Sequence, residues 1–146
     1  MIMIEFAFAA VCTLGFGILF NIPRKQLAYA SVTGAVGWIL YSQLIGRFDS
    51  PVMAAFAGAL AVGLISEILA RKRRMPATVF IIPGLIPLVP GYGLYYSMLK
   101  IIEADYAAAT EIGVETMLVA VSISSAVIVS TSIGRKFKRK KVESNE

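Results

Sequence analysis

Apolar residues come along this chain in runs of about 20 with almost no charge inside them, the length an α-helix needs to cross the hydrocarbon core of a bilayer. The runs cover about 2–20, 27–45, 52–70, 77–99 and 113–133. Polar punctuation closes each one. Asn21-Ile22-Pro23-Arg24-Lys25 follows the first, Gly46-Arg47-Phe48-Asp49-Ser50-Pro51 the second, and Arg71-Lys72-Arg73-Arg74 the third. An acidic stretch, 100–111, separates the fourth from the fifth, and a basic segment, 135–141, follows the fifth. The pattern predicts an all-α integral membrane fold: about five transmembrane helices in one domain over 1–134, then a basic cytoplasmic tail, 135–146, with a short disordered polar end. Asp49 or Ser50 is placed to cap the third helix, with Pro51 in its first turn. Trp38, Tyr41, Tyr95 and Tyr96 lie near run ends, where amphipathic rings favour the membrane interface.

Charge sets an expected orientation. The chain is 58% hydrophobic and carries a net charge of +5, with its basic residues clustered at the ends of runs. That placement suits topology determinants and anionic-lipid anchors, not nucleic-acid binding. With five crossings, 12 of the 14 Lys and Arg fall on one side of the membrane, and only Arg47 and Lys100 on the other. Positive charge stays inside, so the amino end is expected outside the cell (inner) membrane and the tail in the cytoplasm. A fourth run that dipped in and returned would send the basic tail outside, so it is expected to cross. The opening residues lack a basic n-region, and the first run is expected to remain as a helix.

Composition also narrows the chemistry. Histidine is absent and Cys12 is the single cysteine, which excludes an intrachain disulfide and a His/Cys metal cluster. No acid pair or reactive cysteine motif lies within a run, so neither an enzyme active site nor a cofactor is expected. Small residues recur at four-residue spacing: Ala55, Ala59 and Gly63; Ser122, Ala126, Ser130 and Gly134; Ala30 and Gly34, with Thr33 and Gly37 beside them. Such stripes are helix–helix seams, and some are expected to face a partner chain. The hydroxyls of the fifth run are expected to bond their own helix.

The fourth run holds the strongest functional signal, Pro83-Gly84-Leu85-Ile86-Pro87-Leu88-Val89-Pro90-Gly91. Each proline lacks an N–H and crowds the carbonyl four residues back, so the carbonyls of Val79, Pro83 and Ile86 are expected to be freed. A continuous helix through 83–90 is not expected. Freed backbone groups at mid-membrane need cover from protein or a water-filled cavity. Gly91-Tyr92-Gly93 would then open a half-helix whose N–H groups suit a carboxylate, and Pro83, Gly84, Pro87, Pro90, Gly91, Tyr92 and Gly93 become a candidate substrate site. The bland alternative is a passive kink. Glu67 continues the Ala55–Ala59–Gly63 stripe and is followed four residues later by Arg71. The pair reads as an interfacial ion pair or, more sharply, as a coupling or gating site.

Asn21-Ile22-Pro23, the Gly34–Gly37 pair, Pro76-Ala77-Thr78-Val79-Phe80 and above all Ile86-Pro87-Leu88-Val89-Pro90-Gly91 resemble the small membrane subunit of the split, two-component threonine/serine exporter family. The resemblance runs from about residue 5 to the basic tail. It implies a membrane subunit that works with a larger family subunit to export a small carboxylate substrate, threonine and serine or succinate, as an ion-gradient-driven secondary transporter. A non-transporting scaffold that stabilises a partner is the alternative.

Overall fold

The computed structural model describes the backbone of residues 2–143 and the side chains of residues 2–134. Its helices are α1 (Ile2–Leu19), α2 (Arg24–Phe48), α3 (Pro51–Arg73), α4 (Thr78–Leu85), α5 (Gly91–Ile102) and α6 (Tyr106–Glu143), with a 3-10 turn, Ile86–Leu88, between α4 and α5. The described residues contain no strand, as the all-α class requires.

The helix ends differ from expectation in instructive ways. The stretch 100–111 is mostly helical, and three residues, Glu103 to Asp105, make the whole link between α5 and α6. Asp105 starts α6 by accepting the Ala108 N–H on its side chain at 3.2 Å. At the other end α6 runs through the basic segment to Glu143, and 144–146 lie outside the described residues. Four helices stop without glycine by placing Asn21, Asp49, Arg74 and Ala104 in the left-handed region, at φ 54°, 47°, 55° and 61°. After three of these residues the following N–H bonds six-to-one: Ile22 to Gly17, Met75 to Ala70 and Asp105 to Lys100, each at 3.0 Å. Ser50 caps α3 by accepting the Met53 N–H, and Pro51 takes the first helical position, as the sequence indicates.

Among the described residues, three helices are long and apolar enough to cross a membrane: α1, α3 and the Tyr106–Gly134 part of α6. The bent pair of α4 (with its 3-10 turn) and α5 makes a fourth if taken as one span. The protein is thus a multi-pass membrane protein, but with three or four such spans instead of the expected five. The helix that falls short is α2. It has the length, at 25 residues, but Ser31, Thr33, Ser42 and Gln43 interrupt its apolar run. α2 packs against α1, α3 and α4, and its Ala30, Ser31, Thr33, Gly34, Ala35 and Gly37 are buried.

Close approach through small residues builds the rest. Gly58 of α3 and Gly37 of α2 face each other: a Cβ on Gly58 would lie 2.9 Å from the Gly37 carbonyl oxygen. On the far side of α3, Gly63 meets Ser130, and the Glu67 carboxyl group packs on Gly134. Ala59 and Ala126 join the same buried cluster with Val62 and Leu88. The two predicted stripes therefore interlock along α3 and α6. All members of the three named stripes are buried within this chain, which leaves none of them for a partner. Ser122, Ser124, Ser125, Ser130 and Thr131 bond carbonyls of their own helix, as expected.

Candidate functional site

The break in the fourth run is narrower than the prolines suggest. α4 continues through Pro83 to Leu85, and Pro83 is fully buried. The carbonyls of Pro83 and Ile86, expected to be free, are both occupied. Pro83 accepts the Ile86 N–H, and Ile86 accepts the Val89 N–H at 3.2 Å. Tightening to three-residue hydrogen bonds supplies the donors that the prolines withhold. The helix is lost at Val89 and Pro90. Pro90 has φ −76° and ψ 55°, and the Gly91 N–H donates across it to the Val89 carbonyl at 2.7 Å. That is an inverse γ-turn. The two halves meet at a bend of 47°.

The halves also pack on different helices. α4 sits between α2 and α3, with Gly84 against Val62, Thr33 and the Gly34 backbone. α5 leans chiefly on α6, where Gly93 meets Thr116, and none of its residues is buried. The predicted site residues are therefore not gathered in one place. Pro83 and Gly84 lie in the α2–α3 interface. Pro87 lines a cleft toward α1. Gly91 is exposed, Tyr92 is 74% exposed with its ring 4.3 Å from that of Tyr96, and Gly93 lies on α6. With the Gly91 N–H engaged and Leu94 donating to Pro90 at 3.2 Å, the N–H groups of Tyr92 and Gly93 are the open ones in the first turn of α5.

A cleft lies beside Pro87. Its volume is about 330 Å³, and Glu5, Phe8, Ala9, Cys12, Trp38 and Pro87 line it. Glu5 to Cys12 spans two turns of α1, so the cleft runs roughly 10 Å along that helix from its amino end toward the break. The Ser42 hydroxyl of α2 donates to Glu5 Oε2 at 2.6 Å. No other hydrogen bond to this carboxylate occurs among the described residues. A side chain from each of two helices thus fixes a carboxylate at the mouth of an otherwise apolar cleft whose floor is the broken span. Sequence alone assigns Glu5 no role. The available signal was an acid three residues into an apolar helix.

Glu67 and Arg71 form a different feature at the opposite end. Arg71 Nη2 lies 3.9 Å from Glu67 Oε2 and donates to the Gly134 carbonyl at 2.6 Å. Glu67 is 19% exposed and Arg71 46%, so the pair is solvated at its rim. It ties α3 to α6 near their basic ends. Arg73 stacks over the Tyr29 ring at 3.9 Å and ties α3 to α2 at the same level.

The chain is similar to an uncharacterised protein of Haemophilus influenzae, 24% identical over 117 residues. That alignment covers 80% of this chain but 39% of the relative, so the chain spans well under half the relative's length. No solved structure matches the chain. The family model for the threonine/serine exporter matches residues 5–133, which takes in the Glu5 cleft, the broken span and the α3–α6 seam. The chain belongs to the threonine/serine exporter family.

Proposed function

We propose that this chain is the membrane subunit of a two-component exporter of small carboxylate-bearing metabolites, threonine and serine or succinate, and works with a larger subunit of the same family. The family match over 5–133 carries the reading, and a broken span that opens beside a cleft supports it. Broken helices at mid-membrane are a common way to build transporter sites. In this reading the open N–H groups of Tyr92 and Gly93 receive the substrate carboxylate, and Pro83, Gly84, Pro87, Pro90 and Gly91 shape the break that presents them. Glu67 and Arg71 act as a gate latch between α3 and α6. The relative in which a similar stretch is 39% of a longer chain fits a division of labour between this segment and a larger one. The test is export from cells. This chain expressed alone is expected not to lower intracellular threonine, serine or succinate, and co-expression with a larger family subunit is expected to lower one of them. Full export by this chain alone would refute the two-component reading.

In the proposed orientation the amino end lies outside the cell membrane and the basic tail in the cytoplasm. The basic loops and tail then meet anionic lipids on the cytoplasmic face. In a Cys12→Ala background, a cysteine at Ser50 is expected to react with an impermeant maleimide in intact cells, and one at Asn145 only after permeabilisation. Labelling of position 145 from outside would reverse the orientation.

A further inference from the structure

We propose that the cleft lined by Glu5 and Trp38 is a cation subsite that takes a primary ammonium group. The inference rests on the exporter reading for its substrate and on the cleft geometry for its chemistry. Glu5 is the one charged side chain among the lining residues, and no Lys or Arg joins it. Phe8, Ala9, Cys12 and Pro87 make the remaining wall apolar. A cation in the cleft would neutralise the Glu5 carboxylate.

The acceptors present match an ammonium group. Glu5 Oε2 already takes the Ser42 hydroxyl proton, which leaves Oε1 open as an acceptor. Trp38 lines the same cleft, and an indole ring attracts positive charge. An ammonium group can donate an N–H to the open carboxylate oxygen beside that ring. A dicarboxylate such as succinate would bring negative charge to Glu5 with no base to offset it. The subsite therefore selects cargo that carries an amine, and it separates the two cargo classes left open above.

Trp38 is the only tryptophan of the chain, so the wild-type protein reports on its own cleft. The experiment titrates the purified full chain, in lipid nanodiscs, with methylammonium, L-threonine, N-acetyl-L-threonine and succinate while Trp38 fluorescence is read. Methylammonium and L-threonine are expected to give saturable changes, and the two compounds without an ammonium group are not. Glu5→Gln keeps an oxygen acceptor for the Ser42 hydroxyl but removes the charge. It is expected to raise the half-saturating concentration at least tenfold with unchanged helix content. An absent wild-type response, an equal response to succinate, or an unchanged midpoint in Glu5→Gln overturns the subsite. Should Glu5→Gln misfold, the wild-type discrimination between methylammonium and succinate decides alone. Export measured on the same strains keeps the two claims apart. Discriminating titrations without any export retain the subsite and remove the exporter reading. Export with an indiscriminate titration does the reverse.

Discussion

Pro87→Ala combined with Pro90→Ala is expected to leave the protein inserted in the membrane while lowering export at least tenfold. Alanine at position 90 restores an N–H that can reach the Ile86 carbonyl, and alanine at 87 restores one for Pro83. Both changes favour a continuous α-helix over the 3-10 turn and the γ-turn, by up to ~3 kcal/mol for each proline. The packing of the two halves makes this consequential. α4 is held between α2 and α3, whereas α5 rests on α6, and the 47° bend is what lets one segment satisfy both. A straightened segment keeps one set of contacts and loses the other. The measurements are membrane insertion, by resistance to carbonate extraction, and export of labelled substrate with the larger subunit present. A stably inserted double variant that exports like wild type would show the break to be a passive kink.

Gly58→Val is expected to destabilise the bundle by about 1–3 kcal/mol, the usual range for overpacking a well-packed core. The Cβ it adds would come within 2.9 Å of the Gly37 carbonyl oxygen, and backbone cannot rotate out of the way as a side chain can. α2 and α3 must separate, which also loosens Val62 and Leu88 at the centre of the buried cluster. Gly46→Ala is the matched control, because a Cβ at Gly46 meets nothing within 4 Å. It lies within α2 and should be neutral or slightly stabilising, since alanine is the better helix former. Unfolding in mixed micelles, followed by circular dichroism, measures both. Equal stability of Gly58→Val and wild type would contradict the close approach of α2 and α3.

The features legible in the sequence were those written at fixed spacing. Ala55, Ala59 and Gly63 repeat every four residues, and so do Ser122, Ala126, Ser130 and Gly134. Helical periodicity therefore announced two seams, though not that they would meet each other. Gly58 escaped notice because it lies off that repeat, on the side of α3 turned toward α2. The prolines marked a break without locating it. Proline states which N–H is missing, but whether a neighbour tightens to fill the gap depends on the local backbone, and for the carbonyls left by Pro87 and Pro90 it does. The Glu5 cleft was the least legible part, since Ser42 lies 37 residues from Glu5 in sequence and Pro87 reaches the same cavity from a third helix. Pairings of that kind belong to tertiary structure, and no local pattern encodes them.

The modest apolarity of α2 has a consequence for how the protein is made. Membrane folding is often divided into two steps, independent insertion of each helix and then association within the bilayer. α2 resists that division. Its Ser31 hydroxyl reaches the Ala10 carbonyl of α1 at 2.6 Å, Ser42 reaches Glu5, and its glycines fit Thr13, Val62 and Gly58. A helix whose polar groups are satisfied by neighbours gains much of its preference for the bilayer from them. During synthesis the neighbour on one side, α1, precedes α2 from the ribosome, while α3 and α4 follow it. The packing of α2 is thus completed by sequence that has not yet been translated when α2 emerges.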